Sequence, residues 1–342
     1  MALAVSHTFA DQETHTHTLL NAIETNITNN ANALISPFTG SVDVDGFDVT
    51  DLDELEFRDA DADASATGRL RRTNQHLEWH DATGSWPLQL VVGGGIFGLT
   101  ISNDGTDVTN DIQVTAGQAI DDTEIYTLRL TSTLIKRLDA VWAVGTNQGM
   151  LDTGVIANDT YHIFIIKRSD TGVTDILASL SAGAPTMPAS YDFKRRIGAI
   201  MRVSAAIVLF TQDGDYFRRS TATRDVAASA NPGTAAVTVN MTGVPTGIIL
   251  TWIGAAHLTT GAGGNTAMYV SDLAATDEVP TRGGVAPGAQ LVTATTSTTS
   301  AVPLEIRLNT ARQLRYRLSF SDADVIVNMY TYGWRDRRGQ DS

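Results

Sequence analysis

Catalysis would need a nucleophile, a paired acid and base, or a metal, so the residues able to supply these come first. Asp213 and Asp215 stand two apart in Thr211-Gln212-Asp213-Gly214-Asp215-Tyr216-Phe217. Retaining glycosidases need two carboxyls about 5 Å apart at a sugar, and the neighbouring aromatics could stack on its ring. A glycine between two polar tips equally describes a tight turn, and that is the reading carried forward. His15 and His17 flank Thr16. Around a threefold axis three copies would gather six imidazoles, a set suited to a first-row metal. The pair precedes a helical pattern, however, and reads more simply as a polar cap on an attachment segment. Acids run from Asp43 to Asp63, but Gly46 falls too early and no closing glutamate follows, so the twelve-residue calcium loop is not matched and a solvated face is expected. No G-x-S-x-G elbow, H-E-x-x-H pair or phosphate loop ending in Gly-Lys-Ser/Thr occurs, and a chain without cysteine has no thiolate nucleophile or disulfide. We therefore expect a non-enzymatic protein with no metal and no cofactor.

Charge narrows the partners. A net charge of −14 over 342 residues argues against nucleic acid, because binding phosphate requires a basic surface. The first residues lack a basic n-region, so no secretory signal is expected. The longest apolar run, Leu88 to Ile101, is interrupted by Gly93, Gly94 and Gly95 and is shorter than the roughly 20 residues of a membrane helix. We expect no membrane insertion. The glycines read as a break between buried strands and mark a domain boundary.

The elements follow from periodicity. Leu20, Ile23, Ile27, Asn30 and Leu34 fall at spacings of three and four, a heptad seam with isoleucine at both core positions, which favours more than two strands in a parallel coiled coil; an amphipathic helix packed on its own domain is the alternative. Asn30 in one layer would fix register, since its amide buried away from its symmetry mates is left unpaired. The Ile27-x-x-Asn30 pattern resembles asparagine layers of trimeric viral and adhesin stalks, and that resemblance implies an anion on the axis at the Asn30 layer. Ser36-Pro37 ends the helix. From Gly40 to Leu90 short alternating runs predict strands with one thin apolar face, which three chains could complete for one another. Gly68 to Asp81 reads as a hairpin turning at Thr73-Asn74-Gln75. Beyond Phe97, strand-like segments separated by Gly, Asn, Asp and Pro predict a sandwich or jelly roll. Thr133 to Trp142 alone suits either one helix or an edge strand.

Two stretches carry a family resemblance. Gly68-Arg69-Leu70-Arg71-Arg72 with Leu77-Glu78-Trp79-His80-Asp81 is similar to a hairpin that recurs ahead of the β-domain in phage tail-fibre and appendage proteins, with glycine replaced in the turn. Leu134 to Gly145, Leu151-Asp152-Thr153-Gly154, Tyr161-His162, Arg195-Arg196-Ile197-Gly198, Ser271-Asp272, Arg315-Tyr316-Arg317-Leu318 and Tyr332-Gly333-Trp334 resemble phage and prophage C-terminal domains. The resemblance implies a virion appendage and does not say which; the leading expectation is a tail fibre or spike of a tailed phage, assembled in the host cytoplasm, that mediates host attachment. A head fibre or capsid decoration protein could use the same stalk. A polysaccharide depolymerase is an alternative of another class, though its long β-helical repeats are not visible.

The expected organisation is an attachment segment at 1–18, a trimeric coiled coil at 19–36, a β shaft and hairpin collar at 37–92, and a jelly-roll-like β-sandwich at 93–342. Expected partners are two further copies of the chain, other virion proteins at the N-terminal segment, and a host-surface glycan. Asn265, Tyr269, Tyr330, Tyr332 and Trp334 are the receptor-contact candidates, because Tyr, Trp and Asn on loops are usual grips for sugars; core or trimer-interface aromatics are the equal alternative.

Overall fold

The computed structural model describes residues 69–73, 76–81, 84–87, 95–261, 265–293 and 298–339. The expected attachment segment, coiled coil and acidic shaft strands, with His15, His17, Leu20, Ile23, Ile27, Asn30 and Leu34, lie outside the described residues. The chain divides into two units, Met1–Gln89 and Leu90–Ser342.

In the first unit, β1 (Arg69–Thr73), β2 (His76–Asp81) and β3 (Gly84–Pro87) form an antiparallel three-stranded sheet in chain order. Arg69 pairs with His80 and Thr73 with His76, so the expected hairpin is present. The third strand, which pairs Trp79 with Trp86, was not foreseen.

The second unit begins with β4 (Ile96–Gly98), β5 (Ile101–Asn103), β6 (Asp111–Val114), β7 (Gly117–Ile120), β8 (Thr127–Leu130) and β9 (Leu134–Val141). It continues through β10 (Gln148–Leu151), β11 (Thr160–Arg168), β12 (Thr174–Ser179), β13 (Tyr191–Val203), β14 (Ala206–Ile207) and β15 (Phe210–Asp213). Then come β16 (Tyr216–Ala228), β17 (Val237–Asn240), β18 (Leu250–Thr260), β19 (Ala267–Ser271), β20 (Ala289–Val292), β21 (Thr298–Leu308), β22 (Gln313–Leu318) and β23 (Ile326–Arg335). No residue among those described is helical, so the expectation of a β-rich body holds in its coarse form.

Among the described residues four sheets make up this body. Their orders are β14-β13-β11-β12-β10-β9-β6-β5, β15-β16-β23-β18-β21, β17-β22-β19-β20 and β4-β7-β8. Most pairings are antiparallel, but β10 runs parallel to both β9 and β12. A single apolar cluster draws on all four sheets, through Ile163 and Ile165 of β11, Trp252 of β18, Met268 of β19 and Leu128 of β8, among others.

Thr133 to Trp142, which suited either a helix or an edge strand, is a strand, and it lies inside its sheet between β10 and β6. Alternation decides it: Lys136 and Leu138 are buried while Arg137 and Asp139 face solvent, a period of two that no helix accommodates. The buried lysine is tolerated because its ammonium lies 3.0 Å from Asp175 and donates to the carbonyls of Ala143 and Gly145 at 2.7 and 3.2 Å. Three oxygens then replace the lost water.

Candidate functional site

The second unit carries its densest positive charge along β13. Lys194, Arg195 and Arg196 are consecutive there. On one side β13 pairs with β11; on the other, β14 covers only Arg202 and Val203. The register to β11 also shifts, with Ile163 opposite Gly198 but Phe164 opposite Arg196. A bulge of this kind bends the strand and re-aims side chains. Consecutive strand residues point to opposite faces, yet all three cations line one cavity of about 440 Å³.

Loop residues 182–183 and 247–249 and the segment after β23 complete the wall. Phe164, Ile248 and Ile249 supply an apolar side. Two of the three cations have acids of their own. Lys194 forms an ion pair with Asp122. Arg196 holds Asp336 bidentately at 2.6 and 2.7 Å, a charge-assisted geometry among the strongest available to side chains. Arg338 then locks the C-terminal segment in place: its amide donates to Asp336 at 2.8 Å, its Nε to the Ile197 carbonyl at 2.8 Å and its Nη2 to the Leu99 carbonyl at 2.6 Å. Burial lowers the Arg338 pKa to about 10.

Arg195 is different. It is only 2 % exposed, and its Nε and Nη2 are buried without a hydrogen-bond partner. Burial, and then the neighbouring charge of Arg196, lower its pKa. His162 lies beside the same wall, where a side chain at Gly247 would meet its Nε2 at 3.0 Å. Burial and Arg196 lower the His162 pKa to about 4, so its imidazole is neutral near pH 7. No group of three or more His, Asp or Glu side chains placed to hold a metal occurs among the described residues.

A second cavity of about 480 Å³ lies at the other end of β13. Its three arginines are used structurally. Arg202 donates to Asn158 and the Ala205 carbonyl, Arg219 to the Gly243 carbonyl and Arg312 to the Val244 carbonyl.

The receptor-contact candidates do not converge. Asn265 is exposed, at φ 61°, and accepts from Arg282 at 3.1 Å. Tyr269 is buried in β19, its hydroxyl turned to the backbone of Thr281. Tyr330 is half-buried against His257, with ring centroids 5.0 Å apart. Tyr332 is exposed. Trp334, which the sequence left open as a loop or a core aromatic, is a core strand residue: it is 0 % exposed and stacks on Phe217 at 5.5 Å. Asp213 and Asp215 flank Gly214, at φ 59°, in the turn between β15 and β16. Both are exposed, and Asp215 lies 3.3 Å from Arg335.

Reading motifs missed Lys194, Arg195 and Arg196 as a group. The available signal was a run of three cations in an acidic chain.

No protein-family model matches the chain, and no curated protein does. Among solved structures, a T13 particle of infectious bursal disease virus matches at 13 % identity and TM-score 0.19, over 70 % of this chain and 68 % of that one. A structure of the Gx strain of the same virus matches at 14 % identity and TM-score 0.16, over 71 % and 68 %. At such TM-scores the likeness supports no conclusion about fold or function.

Proposed function

We propose that this chain is a structural, non-enzymatic subunit of a tailed-phage virion, a trimeric tail fibre or spike that mediates host attachment. In this reading the second unit is a jelly-roll-like β-sandwich presented to the host surface. The observation that carries it is the resemblance to phage C-terminal domains. Its segments fall on β9, the end of β10, β11, β13, the end of β19, β22 and β23, which share one apolar core. They are thus parts of one folded body rather than scattered matches. The seam of Leu20, Ile23, Ile27, Asn30 and Leu34 supports the trimer, and the hairpin of β1 and β2 has the form that precedes such bodies.

The test is the mass of the purified chain in solution. Light scattering at micromolar concentration should give three times the 36.5 kDa of one chain. Replacing Ile23 and Ile27 with Asp should reduce this to one chain while leaving the β-type circular dichroism intact. A monomeric mass for the unaltered chain would overturn the trimeric architecture. Antibody against the second unit, viewed on particles by electron microscopy, should decorate the tail; decoration of the capsid would replace the fibre reading with a head fibre or decoration protein.

A further inference from the structure

We infer that the cavity lined by Lys194, Arg195 and Arg196 of β13 binds an organic carboxylate, with Arg195 as its anchor and a uronic acid as the ligand class. An arginine buried to 2 % exposure with two nitrogens unpaired carries an unmet desolvation penalty, and an anion is the acceptor that offsets it best. The planar fork of a guanidinium matches a carboxylate through two parallel hydrogen bonds. The nearby acids do not meet that need. Asp122 is engaged by Lys194 and Asp336 by Arg196; Asp122, Glu124 and Asp121 act on Arg195 through their charge, but no described group accepts from its Nε or Nη2.

Size and lining select the body that carries the anion. A volume of about 440 Å³ lies within the roughly 300–1,000 Å³ of small-molecule sites and far exceeds the roughly 30 Å³ share of one water. Phe164, Ile248 and Ile249 offer a hydrocarbon wall to the face of a ring, which a bare ion would leave unused. A sugar ring bearing a carboxylate meets both requirements. The surrounding chain is acidic, at −14, so general electrostatic attraction does not explain anion capture, and the recognition must be local. The site rests on Arg195 and its neighbours; only a host acidic glycan as the source of the ligand rests on the attachment reading.

The probe is D-glucuronate titrated calorimetrically into the full-length protein, with D-glucose and inorganic phosphate as comparisons. Glucuronate should bind saturably and glucose should not. Arg195→Gln should weaken binding by about tenfold or more, the loss expected for a charge-assisted contact. Should that variant melt early, Gly183→Glu decides the matter. A side chain at Gly183 meets nothing within 4 Å, so a carboxylate there can compete at the rim without disturbing the fold. Absence of glucuronate binding at millimolar concentration, or equal binding by both variants, overturns the site. Phosphate binding as tightly as glucuronate, and lost in the same variants, overturns the ring-sized ligand and leaves an inorganic anion on Arg195. Each of these results is read on the isolated protein, so a failure here is distinct from a capsid location or a monomeric mass.

Discussion

Asp111→Asn should stabilise the protein at neutral pH and do nothing at acid pH. Asp111 lies on β6, where its backbone bonds to Asp107 and Asp104 at 3.0 Å each. Its Oδ1 is buried without a partner. Burial, followed by the charges of Asp107 and Asp139, raises its pKa from 3.8 to about 6, against a smaller opposing pull from Arg137. Between pH 4 and 6 the folded chain therefore keeps a proton that the unfolded chain has released. Stability contributed by this group is present below pH 4 and lost as pH rises through 6. A shift of two units corresponds to about 3 kcal/mol. The side chain is partly open to water, and screening reduces this to about 1–2 kcal/mol.

Asparagine keeps the shape of the side chain and removes the ionisation. Urea unfolding followed by tryptophan fluorescence, in moderate salt with a chelator, should show the variant's midpoint raised by a few tenths molar at pH 7.5, given slopes of about 3 kcal/mol per molar. At pH 3.5 the two midpoints should coincide. An equal change at both pH values, or a loss of stability at pH 7.5, would show that Asp111 acts through a structural contact and not through its charge.

His162 should act with the opposite sign. Its folded pKa of about 4 lies below the usual 6.5, so the stability from burying a neutral ring is complete above pH 6.5 and falls as pH drops towards 4, by about 3 kcal/mol at most. Melting temperatures across that range should decline less steeply in His162→Gln, and parallel profiles would exclude the imidazole as the cause. For the carboxylates of the β15–β16 turn, incubation with host polysaccharide should release no reducing ends. Release that Asp213→Ala abolishes would restore the depolymerase reading.

Much of the body was legible because its chemistry is local. Alternation along Gln313 to Leu318 buries every second residue, and along Leu134 to Val141 it buries Lys136 and Leu138 while Arg137 and Asp139 stay exposed; that pattern survives in the sequence whatever the strand pairs with. The sheet order was not legible. The parallel insertion of β10 between β9 and β12 depends on backbone pairing that no side-chain pattern announces. Aromatic residues misled for a related reason. Tyr330, Tyr332 and Trp334 alternate along β23, but only the structure distinguishes the half-buried and exposed tyrosines from the indole stacked on Phe217. Trp252 shows the same non-local control, since its Nε1 is satisfied at 2.6 Å by Thr331, a residue 79 positions away.

The cavity was hidden by the same distance in sequence. Arg195 and Arg196 are adjacent and chemically identical, and nothing local separates their roles. What separates them is an aspartate 140 residues further on, which the Arg338 contacts hold against the chain before β5 and the bulged part of β13. Asp336 reaches Arg196 and not Arg195 because successive strand residues face opposite ways. The acid that closes the fold therefore satisfies one guanidinium and leaves its neighbour buried and unmatched. A buried cation in that position is a liability to stability unless an anion visits it. The unpaired state of Arg195 is thus better explained by binding than by folding.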